Sequence, residues 1–325
     1  MAMNCLITGG AGFIGSSLAE ELLTRNNYVI IVDNFDPYYS KELKKYNLEK
    51  NSKNENCKFF ELDVRNTKKL ASVLNEENVD TVFHLAARPG VRQSIKNYFL
   101  YENINVLGTL SVLKSCLNTN VKKIIYASSS SVYGNPLYLP IDESHPTNPI
   151  SPYGVSKLAG EKYCMAFRQI YGLKVVILRY FTVYGPRQRP DEAIFKFARL
   201  IFKGKPIPVY GDGNQTRDFT YISDVVDGTI LAATKNVSED VFNLGSGSRI
   251  SVNALIKIFQ EITKEKIKVN YIEKTKGEVT DTLADIKKAK RILGYSPRIG
   301  IKQGITEFVK WFKSLPGELI EQISD

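Results

Sequence analysis

Asn4-Cys-Leu-Ile-Thr8-Gly-Gly-Ala-Gly-Phe-Ile-Gly15 takes an apolar run into a glycine-rich turn, and Ser16–Arg25 continues with helical spacing. A strand that ends in glycines and restarts as a helix leaves the first amides of that helix pointing into the turn. Gly9, Gly12 and Gly15 permit the tight bend and a close backbone approach, so the turn can seat a dinucleotide pyrophosphate. The spacing is GxxGxxG rather than GxGxxG, and the physical mechanism is the same.

Outward from this turn, short apolar runs alternate with helical patterns. Candidate strands are Asn4–Thr8, Val29–Val32, Lys58–Leu62, Thr81–His84, Lys123–Ala127 and Lys174–Leu178. Helical spacing marks Ser16–Arg25, Lys68–Glu76 and Val106–Thr119 between them. Such alternation predicts an α/β fold, a Rossmann-type doubly wound parallel sheet with helices on both faces. From about Thr182 the rhythm gives way to loops rich in Pro, Gly and Arg and one later helix, Asn253–Thr263. A smaller C-terminal α/β domain that binds substrate is expected there. The expected division is 1–178 plus about 219–245 against 179–218 plus about 246–325.

The 325 residues suffice for a sizeable core, and 43% hydrophobic with 24% charged residues suits a soluble globular enzyme. A net charge of +10 admits an anionic substrate or a nucleic acid. The lysines are scattered and interleaved with glutamates, as in Lys41-Glu42-Leu43-Lys44-Lys45 and Lys264-Glu265-Lys266, and no nucleic-acid motif accompanies them. A small anionic substrate is therefore expected, with no nucleic-acid partner. Cys5, Cys57, Cys116 and Cys164 form no CxxC, and His84 and His145 are the only histidines, so no metal site is expected. The chain enters its first strand without a signal-peptide pattern or an apolar run of membrane-spanning length. A reducing cytoplasm and no membrane association are the expectation.

Asp33 ends the second strand 18 residues after Gly15, where a carboxylate can accept from an adenosine ribose and repel a 2′-phosphate. NAD is favoured over NADP on that ground. Asp63-Val64-Arg65 follows the third strand, where an adenine edge would lie, although a solvated Asp fits the same position. His84-Leu85-Ala86-Ala87 ends the fourth strand; the small residues let a cofactor pass, and His84 reads as a satisfied core histidine. Ser128–Ser131 closes the fifth strand, its hydroxyls directed at the crevice where open α/β sheets bind ligands. Tyr153 and Lys157 sit one helical turn apart on one face, where an ammonium can lower the phenol's pKa.

Taken together, Thr8–Gly15, His84–Ala87, Asn105-Val-Leu-Gly-Thr109, Ser128–Gly134, Tyr153–Lys157, Arg179–Pro190 and Arg217-Asp-Phe-Thr-Tyr221 resemble the extended short-chain dehydrogenases/reductases. The similarity is to their NAD-dependent nucleotide-sugar epimerases and spans nearly the whole chain. It implies Ser129 as catalytic hydroxyl, Tyr153 as base and Lys157 as its modulator and a hold on the nicotinamide ribose. It places Gly9, Gly12, Phe13, Ile14, Gly15, Asp33, Asn34, Asp63, Val64, Leu85, Ala86, Ala87, Asn105 and Tyr180 on the cofactor. Dehydratases of the family carry Asp-Glu, and UDP-glucuronate decarboxylases a Glu, just before Val-Tyr-Gly. Here Ser130 and Ser131 stand there, which disfavours both lyases and leaves reversible oxidation at one carbon.

Thr182 replaces the Asn usual in UDP-glucose 4-epimerases and, with Ala87-Arg-Pro-Gly-Val-Arg92 and Asp36-Pro-Tyr-Tyr39, resembles UDP-glucuronate 4-epimerases. Ser129, Ser130, Ser131 and Thr182 would then meet a sugar carboxylate, with Arg189 as cationic partner. Arg88, Arg92, Arg187 and Arg189 fit equally as loop cations or pyrophosphate ligands. Gly204-Lys-Pro-Ile-Pro-Val-Tyr-Gly-Asp-Gly213 resembles a uridine loop, with Val209 and Tyr210 beside the base and Arg217 on phosphate or ribose. Lys274-Thr-Lys-Gly-Glu278 departs from the family's Arg before Pro-Gly, so Lys274 or Lys276 would take over that charge. A UDP-sugar 4-epimerase, most closely of UDP-glucuronate, is the reading. A UDP-glucose or UDP-N-acetylglucosamine 4-epimerase and a UDP-glucuronate decarboxylase are the alternatives. A homodimer pairing Val106–Thr119 and Tyr153–Tyr171 is implied by the resemblance alone.

Overall fold

The computed structural model describes residues 2–237, 240–273, 277 and 279–322. Its centre is a parallel sheet of seven strands. Six of them are β1 (Asn4–Thr8), β2 (Tyr28–Asp33), β3 (Cys57–Glu61), β4 (Thr81–His84), β5 (Lys123–Ser129) and β6 (Val175–Tyr180). From one edge the order is Asp240–Leu244, β6, β5, β4, β1, β2, β3. The order reverses at β1 and β4, so the loops leaving these two strands diverge and open a crevice at the carboxyl edge. Registers such as Thr8↔Val32 and Thr8↔His84 bring the ends of β1, β2 and β4 level along that crevice.

β2 and β6 are near-continuous Val/Ile/Leu runs because both faces of the sheet are covered there. Leu18, Leu22, Val225 and Ile230 of the helices Phe13–Thr24 and Ile222–Thr234 pack on one face with Ile7, Ile31 and Phe83. On the other, Leu70, Val73, Leu74, Val112 and Leu113 of Thr67–Glu76 and Gly108–Cys116 cover Leu6, Ile30 and Val82. A third apolar cluster draws on Tyr184, Phe195, Phe197, Phe259, Phe308 and Phe312, together with Leu43 from the helix Lys41–Ser52. Ala289, Leu293 and Tyr295, late in the chain, pack instead into the sheet's core against the Ile222–Thr234 helix.

The strands Thr182–Tyr184 and Phe219–Tyr221 pair in parallel, as do Ile207–Tyr210 and Val269–Ile272. These short pairs hold the irregular segment above the crevice. The expected strands differ from the observed ones mainly at their ends, whereas helices such as Ala193–Phe202, Ile222–Thr234 and Ile301–Ser314 and the short strand pairs after Thr182 are not among the expected elements. The helix expected from Val106 begins as a π-helical stretch, Glu102–Leu107, before Gly108–Cys116. The first helix starts at Phe13, inside the glycine turn.

Candidate active site

The turn after β1 is built so that only glycine fits at its contacts. Gly9 has φ +70°, and a Cβ there would lie 2.8 Å from the Ala86 amide nitrogen. At Gly15 a Cβ would meet the Gly9 carbonyl oxygen at 2.3 Å. The helix Phe13–Thr24 opens on Gly12 with no side-chain cap, which leaves its first amides to whatever occupies the cleft. Tyr39 turns a buried hydroxyl with no protein partner toward Gly12, where a Cβ would lie 3.8 Å away. A small-residue cradle, uncapped amides and an orphaned hydroxyl fit a phosphate-bearing dinucleotide.

Gly9, Gly12, Phe13, Ile14, Gly15, Asp33, Asn34, Asp63, Val64, Leu85, Ala86, Ala87, Tyr153, Lys157 and Tyr180 all line one cleft. Asn105 does not. It is buried, donates from Nδ2 to the Arg88 carbonyl at 3.0 Å and to Ser156 Oγ at 2.9 Å, and accepts from the Arg88 amide. It braces the cleft wall against the helix that carries Tyr153.

Asp33 accepts the Ala11 amide at 3.1 Å and the Phe35 amide at 2.8 Å, so it ties β2 to the glycine turn as well as facing the cleft. Burial pushes its carboxyl up, with Lys44 and the two amides opposing. Asn34 donates to Asp63 at 2.9 Å, and Arg65 clamps the same carboxylate, which closes the far end. His84 is a core histidine: Nδ1 meets Thr8 Oγ1 at 2.8 Å and Nε2 meets Thr109 Oγ1 at 3.0 Å. Thr109 donates its own proton to the Asn105 carbonyl, so Nε2 donates and Nδ1 accepts. Burial and the Lys157 charge push its pKa down to about 3, keeping it neutral.

Pro152–Tyr171 starts on a Ser151 cap that accepts the Gly154 amide at 3.1 Å, with Pro152 in its first turn. Its face toward the cleft presents Tyr153 and Lys157. The Tyr153 phenol stands above its ordinary pKa because it is buried; Ser129 and the charge of Arg189 oppose the rise, and Glu192 adds to it. Burial lowers Lys157 to about 8, with Cys164 and Glu161 opposing. Its ammonium lies 4.8 Å from the Tyr126 ring centroid.

One turn further along the same face, Glu161 accepts from Ser128 Oγ at 2.5 Å and from Arg179 Nε and Nη2 at 3.0 and 2.8 Å. Tyr133 links Arg179 to Asn243 at 2.9 and 2.7 Å. This buried network joins the ends of β5 and β6 to the helix of Tyr153. Sequence reading missed it, although the spacing Tyr153, Lys157, Glu161 was a signal for it.

Ser129 donates to Ser131 Oγ at 3.1 Å and accepts the Ser131 amide, forming a tight turn over Ser130–Val132. Thr182 is half-buried, its amide on the Asp218 carbonyl at 3.1 Å. Arg92 stacks its guanidinium carbon 3.8 Å from the Tyr210 ring centroid, joining the two sides of the substrate end. Val209 turns its side chain into the aromatic core, and its backbone pairs with Tyr271 in the ladder with Val269–Ile272. Arg217 donates to the carbonyls of Thr216, Val279 and Thr280, so it organises the neighbouring segment. Lys274, Lys276 and Glu278 lie outside the described residues.

Arg189 lines the cleft and is held by Asp191 through Nε at 3.0 Å and Nη2 at 3.3 Å, and by Glu192. Tyr38, also missed as a site residue, donates to Asp191 at 2.9 Å and has Arg88 5.1 Å from its ring. Arg88 is paired with Asp36 at 2.8 Å. Tyr38 and Tyr39, with Lys44 of the following helix donating to the Asp36 carbonyl, make the loop after β2 a strap over the cleft.

The family model described as GDP-mannose 4,6 dehydratase matches residues 6–308. A UDP-glucuronate 4-epimerase of Thermodesulfobacterium geofontis is 40% identical over 309 residues, 95% of either chain. The crystal structure of UDP-glucuronic acid 4-epimerase from Bacillus cereus, in complex with UDP-glucuronic acid and NAD, superposes with a TM-score of 0.91. It is 38% identical and covers 95% of this chain and 98% of that one. A UDP-glucose 4-epimerase from Thermotoga maritima with UDP-glucose reaches 0.88 at 35% identity, over 95% of this chain and 98% of its own. With its glycine turn, serine-rich strand end and Tyr–Lys helix face on one cleft, the chain belongs to this family of extended short-chain dehydrogenases/reductases.

Proposed function

We propose that the protein is an NAD-dependent UDP-sugar 4-epimerase that interconverts UDP-glucuronate and UDP-galacturonate through a 4-keto sugar. The observation that carries this reading is the placing of Tyr153 and Lys157 on the cleft of the glycine turn, together with Ser128 at the end of β5. Ser130 and Ser131 stand where a lyase of the family needs an acid. Similarity to proteins named UDP-glucuronate 4-epimerase supports the choice of sugar.

When bound, NAD supplies the hydride acceptor and donor. Tyr153 takes the proton from the sugar 4-hydroxyl, Ser129 steadies that oxygen, and the Lys157 ammonium favours the phenolate. The ketose turns about its phosphate linkage, and Tyr153 returns the proton at the opposite face. Because the 4-keto uronate is a β-keto acid, its carboxylate must be kept from the alignment that releases CO₂. The hydroxyls of Ser129, Ser130, Ser131 and Thr182 and the Arg189 cation take that role. Val209, Tyr210, Arg92 and Arg217 frame the uridine and diphosphate end.

Incubation with UDP-glucuronate, UDP-glucose and UDP-N-acetylglucosamine followed by NMR tests the reading. UDP-galacturonate from the acid alone supports it; conversion of the neutral sugars alone overturns it. The neutral-sugar alternative draws support from one observation: Arg189 already faces two carboxylates. CO₂ release would favour the decarboxylase.

A homodimer belongs to the same proposal. Phe99, Leu107, Ile170 and Tyr171 are exposed apolar residues on Tyr98–Tyr101, Glu102–Leu107 and Pro152–Tyr171. Leu107, Ile170 and Tyr171 lie within the segments Val106–Thr119 and Tyr153–Tyr171 expected to pair, whereas Gly108–Cys116 is largely buried. Four free thiols suit a reducing cytoplasm.

A further inference from the structure

Arg189 is the cation that the proposed function assigns to the sugar carboxylate, yet its guanidinium is already engaged. Asp191 takes Nε and Nη2 as a fork, and Asp191 in turn accepts from Tyr38, so this pair is the anchor. Glu192 is a second carboxylate on Nη2, beyond what the anchor needs. Its side chain is 30% exposed, so it can leave. Nη1 has no protein acceptor among the described residues.

With Asp191 and Glu192 both ionised, the group carries one net negative charge beside Tyr153. A hexuronate adds another, whereas a neutral hexose adds none. We propose that Glu192 is a specificity-determining residue: its carboxylate occupies Arg189 where the carboxylate of a UDP-hexuronate would bind, and a uronate enters only when Glu192 is protonated or displaced. This rests on the reading of Arg189 as the sugar-carboxylate site.

One further feature agrees with it. Partial burial and Asp191 push the Glu192 carboxyl up, against the pull of Arg189 and Lys196, which favours the neutral form that lets a uronate in. The charged groups around Glu192 are Arg189, Asp191 and Lys196 on its own segment. Tyr153 faces it from the catalytic helix, and Tyr38 reaches the cluster through Asp191. Glu192 therefore also opposes ionisation of the Tyr153 phenol.

The test is calorimetric binding of UDP-glucuronate and UDP-glucose to holoenzyme, wild type and Glu192→Gln, from pH 5.5 to 8.5, with KM where there is turnover. Glu192→Gln should bind UDP-glucuronate roughly five- to ten-fold more tightly at pH 8, the scale expected for one removed charge. UDP-glucose should stay within about two-fold. Wild-type affinity for the uronate should fall as pH rises and Glu192 ionises, and the variant should lose that dependence. Weaker uronate binding, or equal change for both sugars, would mean that Glu192 merely holds Arg189 and would overturn the inference. Should wild type convert only neutral sugars, the proposed substrate falls. The role of Glu192 is then still decided by whether the variant gains affinity for UDP-glucuronate.

Discussion

Tyr153 lines the cleft, and burial holds its phenol above its ordinary pKa, with Ser129 and Arg189 opposing the rise. Tyr153→Phe should cut turnover by roughly 10²–10⁴-fold, the usual worth of a positioned base. Retained NAD, read by mass spectrometry of denatured protein, would show that binding survives. Lys157 loses its ammonium as pH rises through about 8, so the part of the rate that depends on this charge should decline above that pH. A rate profile still rising well beyond pH 9 would remove Lys157 from the role. Thr182→Val deletes a hydroxyl but keeps the volume, and should raise the ratio of pentose by-product to epimer with UDP-glucuronate, as NMR of the products will report.

At the scale of elements, one helix and two strand ends act as a unit. Pro152–Tyr171 carries Tyr153, Lys157 and Glu161 on successive turns, and Glu161 bonds to Ser128 of β5 and Arg179 of β6. The Arg179–Glu161 pair is almost fully buried, so removing one partner strands a charge. Glu161→Gln should cost about 3–5 kcal/mol, measured by urea unfolding, whereas Glu161→Leu with Arg179→Met should recover most of it. If the double variant is stable but slow, the network positions Ser129 and Tyr153 rather than merely supporting the fold. The paired strands that carry Thr182 and Tyr210 are only three and four residues long, so this side is fixed by loop contacts more than by ladders.

Across the whole molecule, the loop after β2 spans the crevice to Asp191 through Tyr38, with Arg88 and Asp36 bracing it. A reaction that returns its own hydride gains from a cofactor that cannot leave, and this strap covers the site. Tyr38→Phe removes the latch without disturbing a core. The purified variant should hold less NAD and gain activity when NAD is added, whereas full occupancy would show that the latch is dispensable. The +10 charge adds long-range attraction for an anionic nucleotide sugar. Within the cleft, local ion pairs such as Arg189 with Asp191 and Glu192 modify that field.

Sequence alone determined the parallel sheet, because runs such as Tyr28–Asp33 and Val175–Tyr180 have no polar face and must be covered on both sides. It also determined the glycine turn and the Tyr153–Lys157 face, since turn geometry and helical spacing are local properties of the chain. Tertiary structure decided what lies next to these groups. The packing made Asn105 a brace and Arg217 a tie to Val279 and Thr280, and it turned Val209 into the core. It also put two carboxylates on Arg189 and a strap from residues 36–39 over the cleft. Burial, which raises or lowers a pKa, and the pairing of charges from distant segments have no period or spacing in a sequence. They arise only when the sheet brings those segments together.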